Sequence, residues 1–369
     1  MIKRNEGKCT PYGRMMVLAV LLLLAGSLGA EVRLPAVFGS HMVLQRDIPI
    51  KIWGWAEPGE SVRLQLAGQS VNVKADASGR WDAVFKPLAA GGEALTLIIK
   101  GSFSSERRLE DIVVGEVWVC SGQSNMEFLL ERTHSPSAEI QQAVYPGLRL
   151  FEVPRRTAVT PREDLEAEWT LCRPETARDF SAVAYYFGRE IHTRLGMPVG
   201  LISTSWGGTR IEPWTPPEGF KAVPEVADLL NKLDESAKTY RINVGQALPD
   251  LQKWVNAAAK AVEGDADPPL PPALPVHPLN HPQQPTALYN GMVHALVPFG
   301  IRGALWYQGE SNRNDGLIYG KKMEALIKGW RKTWGQGDFP FYWVQLAPYN
   351  YAYNREMTGG IFPIFSACP

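Results

Sequence analysis

The sequence predicts an α/β domain, a parallel sheet with helices on both faces, preceded by a small all-β sandwich. Three observations carry this. From Asp111 onward, strand-like apolar runs alternate with helical stretches, as in successive βαβ units. Before that point, short alternating segments are separated by turn residues at the spacing of a sandwich. And 369 residues, 45% of them hydrophobic, are enough for two domains with a sizeable core.

The first thirty residues read as a signal peptide. Lys3, Arg4, Lys8 and Arg14 give a basic start, Val17 to Leu24 an apolar run, and Leu28-Gly29-Ala30 a small-residue cleavage site. The run is short for a bilayer span, and no later segment reads as one. The mature chain is therefore expected to be exported, periplasmic or extracellular, with no membrane partner once the leader is cleaved. Residues 31–112 form the predicted sandwich. Val62, Leu64 and Leu66 alternate with Arg63 and Gln65, Val71 and Val73 with Asn72 and Lys74, and Trp81 to Phe85 and Leu95 to Ile99 are further runs. Turns are expected at Pro58-Gly59, Asp76 to Gly79 and Gly91-Gly92.

Residues 113–369 form the α/β domain. Its strands are expected at Val113 to Cys120, Leu148 to Val153, Val199 to Ser203, Ile301 to Trp306 and Phe341 to Leu346. Helices are expected at Ala182 to Leu195, Leu288 to Val297 and Tyr319 to Thr333. Residues 215–285 form an insertion, helical over Val226 to Tyr240 and Leu251 to Val262, closing with a proline-rich stretch from Pro268 to Pro285 that suits neither helix nor central strand. It is expected as an ordered excursion near the site, with a flexible lid as the alternative.

Composition narrows the function. Lys and Arg total 38 and so do Asp and Glu, so no overall field favours nucleic acid. No Cys/His spacing resembles a zinc site and no glycine-rich phosphate loop is present, so no metal or cofactor is expected. Export would permit a Cys120–Cys172 bridge, with buried free thiols the equal alternative. Twelve tryptophans are many for this length, and core filling is favoured over sugar stacking.

Ligands of parallel sheets bind at the carboxyl ends of the strands. Three such ends carry polar clusters: Gly122-Gln123-Ser124-Asn125-Met126, Ser203 to Arg210, and Trp306 to Asn312. Ser124 stands on a strand-to-helix turn, which displays its hydroxyl for acyl transfer. A tetrahedral oxyanion needs donors aimed at its developing charge. The Ser124 N–H, a glycine N–H from Gly207-Gly208 and the Gln308 amide are the candidates.

The stretches Trp118 to Glu127, Gly207-Gly208-Thr209-Arg210-Ile211-Glu212-Pro213-Trp214 and Trp306-Tyr307-Gln308-Gly309-Glu310-Ser311-Asn312 resemble the bacterial sialate O-acetylesterases of the SGNH hydrolase superfamily. So do Met42 to Arg46, Ile52 to Trp55 and Phe180 to Tyr185. The resemblance implies a flavodoxin-like three-layer α/β/α fold and hydrolysis of acetyl esters on sugars, through an acyl-enzyme and without a cofactor. It implies Ser124 as nucleophile, Gly207 or Gly208 as the oxyanion glycine, and Gln308 where the superfamily usually carries asparagine. Glu310 would orient a histidine or hold a sugar hydroxyl, or it merely caps the following helix. Asn125, Trp206, Arg210, Glu212, Trp214 and Asn312 would line the sugar pocket. Arg210 and Glu212 are equally readable as an internal ion pair.

The resemblance also implies a catalytic histidine after the fifth strand, three residues beyond an aspartate. No histidine follows Leu346. His41, His134, His192, His277, His281 and His294 match no such motif, so a chain shortened before its base is expected, with weak activity. The alternatives are an acetylesterase of xylan or another polysaccharide, and a catalytically impaired glycan-binding fragment.

Overall fold

A computed structural model describes residues 31–346. The leader read over 1–30 and the chain end, where the missing base was sought, lie outside the described residues. The chain divides into two compact units. Among the described residues one holds Glu31–Leu34, Trp53–Ala83 and Leu97–Arg108, and the other holds the remainder.

In the first unit β3 (Ser61–Leu66) pairs antiparallel with β4 (Gln69–Lys74), and its other edge pairs with β6 (Gly91–Gly101). The alternation of Val62, Leu64 and Leu66 with polar neighbours appears in space as a strictly alternating buried and exposed pattern. Gly68 takes φ +74° in the tight turn between β3 and β4, a conformation costly for a side chain.

In the second unit five parallel strands stand in the order β12 (Phe341–Trp343), β11 (Gly303–Tyr307), β7 (Glu106–Gly122), β10 (Val199–Ser205), β8 (Tyr145–Glu152). These are the five expected strands, and the chain winds one way from β7 and then the other. Such an order opens a crevice where the direction reverses, beside the end of β7. β10, β11 and the second half of β7 are buried almost throughout because protein covers both faces, while β12 at the edge leaves Tyr342 and Trp343 exposed. Two strands were not foreseen. β1 (Val43–Gln45) pairs parallel with β7, and β9 (Trp169–Cys172) pairs antiparallel with β8. Both are too short to show a period in sequence.

Helix α1 (Ser124–Glu127) follows β7. Helix α2 spans Ala182–Leu195, as expected. Ser181 caps it by accepting from the Ala184 N–H at 3.1 Å, and Gly196 ends it at φ +63°. Helix α4 (Ile318–Trp334) buries Tyr319, Lys322, Leu326, Trp330 and Trp334, one stripe at helical spacing. Two expectations need correction. The insertion's two helical stretches are one helix, α3 (Asp228–Glu263), which carries Pro249 in its interior. Residues Leu288 to Val297 do not form an α-helix. A π turn at Tyr289–Val293 gives way to a 3-10 turn at His294–Leu296. Pro298 follows, and a proline inside a helix removes a backbone hydrogen bond and clashes with the preceding turn.

Trp53, Trp81, Trp118, Trp169, Trp214, Trp306, Trp330 and Trp334 are all buried, so most of the tryptophans serve the core. Some of their N–H groups reach backbone acceptors: Trp330 donates to Trp214 O and Trp334 to Phe299 O, both at 2.9 Å. Truncating such a ring costs about 3–5 kcal/mol. No helix among the described residues is long and apolar enough to cross a membrane.

Candidate active site

Strand register assembles the site. Gly122 of β7 stands opposite Ser205 of β10 on one side and Tyr307 of β11 on the other. The three polar clusters therefore leave the sheet side by side. Backbone bonds continue the seam past the strands, from the Gln123 N–H to Tyr307 O at 3.0 Å and from the Trp206 N–H to Gly122 O at 3.1 Å. A Cβ on Gly122 would lie 2.1 Å from Tyr307 O, so only glycine fits where the chain turns. Gln123 is buried and accepts through Oε1 from the Ser311 N–H at 3.2 Å and the Gly309 N–H at 3.4 Å, joining first and third clusters.

On this scaffold Ser124 is exposed. Among the described residues its Oγ has no hydrogen-bond partner, so it is free for a ligand or a base. Its neighbour Asn125 donates through Nδ2 to Glu310 Oε1 at 2.6 Å. The second Glu310 oxygen is buried and has no hydrogen-bond partner among the described residues. Trp206 is half-buried, Gly208 exposed at φ +74°, and Thr209 buried beneath them.

Several expected site residues lie deeper than their expected roles require. Glu212, Asn312 and Trp214 are all buried. Asn312 Nδ2 donates to Glu212 Oε2 at 3.0 Å and Asp315 Oδ2 at 2.7 Å, and its Oδ1 accepts from the Ile211 N–H at 2.9 Å. Lys322 reaches up from α4 to Glu212 Oε1 and Asp315 Oδ2, both at 2.6 Å. The Trp214 ring packs edge-on against Trp306 and donates to Thr209 Oγ1 at 3.0 Å. These three hold the loops from below, so the expectation that they line a sugar pocket is corrected.

Gln308 is corrected in the same way. It is buried, and its amide nitrogen is spent on Thr209 O at 3.1 Å and Asn312 Oδ1 at 2.8 Å, while Tyr319 donates to Oε1 at 2.8 Å. An NH2 group has two hydrogens, and both are used. Arg210 stands between the two levels. Its side chain is 43% exposed and pairs with Asp315 Oδ1 at 2.9 Å, while Glu212 Oε2 lies 3.7 Å from its Nε. Burial alone would raise the Asp315 carboxyl, but hydrogen bonds from Lys322 and Asn312, with the two cationic charges, hold it below the usual carboxylate range.

Three charged residues at the site were not singled out in the sequence. Glu127 accepts from the Gly207 N–H at 2.7 Å and pairs through its other oxygen with Arg155 at 2.9 Å. The Arg155 guanidinium in turn sits 6.0 Å over the Trp206 ring. Glu152, partly open to solvent at the end of β8, has its carboxyl pushed up to about 7. The protein around it pushes most and Glu127 adds, while Ser203 and Arg155 pull it back. The position of Arg155 just after a strand was the available signal.

All six histidines are engaged away from Ser124. His41 bonds Asp111 at 2.7 Å, His134 bonds Ser135, and His192 bonds Met197 O. His277 and His281 accept from the N–H groups two residues on, and His294 bonds Arg162 O. Cys120 and Cys172 are free thiols, both buried, which closes the question of a bridge. Burial pushes Cys172 up to about 12 and Cys120 higher still, so neither is a nucleophile.

Comparison with known proteins finds similarity to carbohydrate esterases. Residues 277–359 match the family model of the carbohydrate esterases described as sialic acid-specific acetylesterases. The sialate O-acetylesterase of Mus musculus is 31% identical over 90% of this chain and 63% of its own length, and that of Homo sapiens 29% identical over 90% and 60%. A carbohydrate acetylesterase from Xanthomonas citri superposes with a TM-score of 0.66 at 31% identity, covering 85% of this chain and 60% of its own. The chain thus spans somewhat under two thirds of the length of these relatives. By these matches the chain is similar to the sialate O-acetylesterases and to carbohydrate acetylesterases.

Proposed function

We propose that this chain carries the nucleophile and oxyanion loops of a serine esterase that removes acetyl groups from sialic acid or a related glycan. The observation that carries it is the register of β10, β7 and β11, which sets an exposed Ser124, unbonded among the described residues, beside the diglycine loop. Ser124 Oγ attacks the acetyl carbon, and its proton leaves with the sugar oxygen. Water then attacks the acetyl-enzyme and releases acetate, restoring the serine. Backbone N–H groups of the nucleophile turn and the diglycine loop hold the oxyanion. Trp206 offers the sugar a half-buried aromatic face, and Asn125 and the outer edge of Arg210 complete the polar rim. The scaffold would be a three-layer α/β/α domain of flavodoxin type in a chain that also carries a small β domain, and a leader over 1–30 would carry the protein out of the cytoplasm.

The test is release of acetate from O-acetylated sialic acid together with labelling by a fluorophosphonate. Ser124→Ala removes both. Acetate release that survives that change overturns the assignment. A second reading, a glycan-binding protein without turnover, is favoured by the histidines, none of which bonds Ser124 among the described residues. Sugar binding measured by calorimetry, with Ser124 unlabelled, would establish that reading. Labelling at Ser124 excludes it.

A further inference from the structure

The diglycine Gly207-Gly208 offers two N–H groups to an oxyanion, but they are not equivalent. The Gly207 N–H is already spent on Glu127 Oε2 at 2.7 Å. The contact is close on every side. A Cβ on Gly207 would lie 2.6 Å from that carboxylate oxygen and 3.4 Å from Ser124 Cβ. Glu127 is itself fixed, because it ends the single turn that Ser124 begins and pairs with Arg155 at 2.9 Å. Arg155 comes from the loop after β8 and lies over Trp206, the residue preceding the diglycine. Three strand-end loops thus meet on one carboxylate.

Gly208 is held differently. Its carbonyl, not its N–H, is engaged, accepting from Gln283 Nε2 at 2.7 Å. Gln283 belongs to the proline-rich stretch, and its Oε1 accepts from the Arg210 N–H at 3.0 Å. With Glu127 on one side and Gln283 on the other, the peptide planes of the loop are fixed. Nothing lies within 4 Å of where a Gly208 Cβ would be, so the outer side of the loop is open.

We infer that Glu127, braced by Arg155, is a positioning residue of the oxyanion loop: it commits the Gly207 N–H to the scaffold and leaves that of Gly208 as the loop's donor to the oxyanion. The inference rests on the serine-esterase reading. It assigns Glu127 no proton transfer and no contact with substrate. A carboxylate suits the task because a charged acceptor binds an N–H more tightly than a neutral one. Its cost is a negative charge near a developing oxyanion, which the Arg155 pairing offsets.

The experiment compares Glu127→Ala, Glu127→Gln and Arg155→Ala with the unaltered chain. Hydrolysis of p-nitrophenyl acetate and the rate of fluorophosphonate labelling are measured, along with amide exchange across residues 206–209. Losing one well-placed oxyanion donor costs about 100- to 1,000-fold. A donor left in place but misaligned should cost about 10- to 100-fold by the same measure, so Glu127→Ala should lower kcat and the labelling rate by that factor with KM within about twofold. Glu127→Gln keeps an acceptor oxygen and should recover most of the rate, and Arg155→Ala should fall between. Exchange at the Gly207 amide should rise at least about tenfold in Glu127→Ala, as an unpartnered N–H does.

A raised rate in Glu127→Ala would show the carboxylate to be a blocker of the site and overturn the inference. So would a glutamine variant as impaired as the alanine one, or a loss confined to KM. If the unaltered chain is not labelled at Ser124, the esterase reading falls. Amide exchange then decides alone whether Glu127 fixes the loop, and unchanged exchange at Gly207 overturns that too.

Discussion

Two groups of charged and polar residues lie at the same edge of the sheet, a few residues apart in sequence, and they are built on opposite terms. Below the loops, buried Glu212, Asn312 and Lys322 and the partly covered Asp315 form a set in which each group finds partners at 2.6–3.0 Å. Above them, Ser124 is exposed and unbonded, and Glu310 keeps one oxygen without a partner. A buried charge is tolerated only when paired, so the lower set is scaffold. An unsatisfied group held rigidly at the rim is stability forgone, which suits a site that must bind something else. The strand-end clusters of the sequence run through both sets, and residue type alone does not separate them. Burial and pairing do.

The comparison is broken most sharply by Ser124→Ala. Fluorophosphonate labelling and acetate release should drop by at least about a thousandfold, the scale of losing a catalytic nucleophile. The melting temperature should stay within about a degree, because an unbonded surface hydroxyl contributes little to stability. A large fall in thermal stability would mean that the serine belongs to the scaffold after all.

Lys322→Met tests the lower set from the other side. It leaves Glu212 and Asp315 without their shared cation, and breaking a buried pair in this way costs about 3–5 kcal/mol. Denaturant titration should show a loss of that size. Labelling of whatever remains folded should be nearly normal. A loss below about 1 kcal/mol, the level of surface pairs, would show the network to be solvated.

Acid should act on the two chains with opposite sign. In the unaltered protein the Asp315 and Asp111 carboxyls are held below their ordinary values, the latter chiefly by the Arg149 hydrogen bond and further by His41. Their contribution is present above the unfolded value of about 4 and is lost as pH falls through the lower folded values. Without Lys322, burial dominates at Asp315 and ionisation becomes the burden. Protonation then relieves it, so the stability gap between the two proteins should narrow as pH drops from 7 toward 4. A gap that stays constant across that range would rule out charge as the source of the lost stability.

Much of this architecture is legible in the sequence, for reasons that also mark its limits. The central strands β7, β10 and β11 are buried on both faces over their final residues, so they stand out as apolar runs, and the carboxyl-end rule then picks out Ser124, Gly207-Gly208 and Glu310 without a structure. Helix α2 matches because its cap residues Ser181 and Gly196 are local signals. What escapes is set by distant partners. Glu212 and Lys322 are 110 residues apart, so nothing in the local pattern marks Glu212 as buried and paired. Gln308 looks like a donor until Thr209 and Asn312 take its hydrogens. Residues Leu288 to Val297 carry helical spacing, but Pro298 follows directly and the turns there tighten and loosen instead.

Arg210 sits on the boundary of the comparison and gives its finest test. Its NH2 group meets Asp315, yet its side chain is 43% exposed and its Nε finds no hydrogen-bond partner. Asp315 keeps Lys322 and Asn312 when the arginine is removed, so Arg210→Ala should cost only about 1 kcal/mol, the upper range for a partly exposed pair. If the outer edge of the guanidinium also meets the sugar, KM for an O-acetylated glycan should rise several-fold while p-nitrophenyl acetate, which has no sugar, is unaffected. Arg210→Lys keeps the charge for Asp315 but loses the planar fork, so it should restore stability and leave the glycan KM raised. Equal effects on both esters would place Arg210 wholly with the lower set.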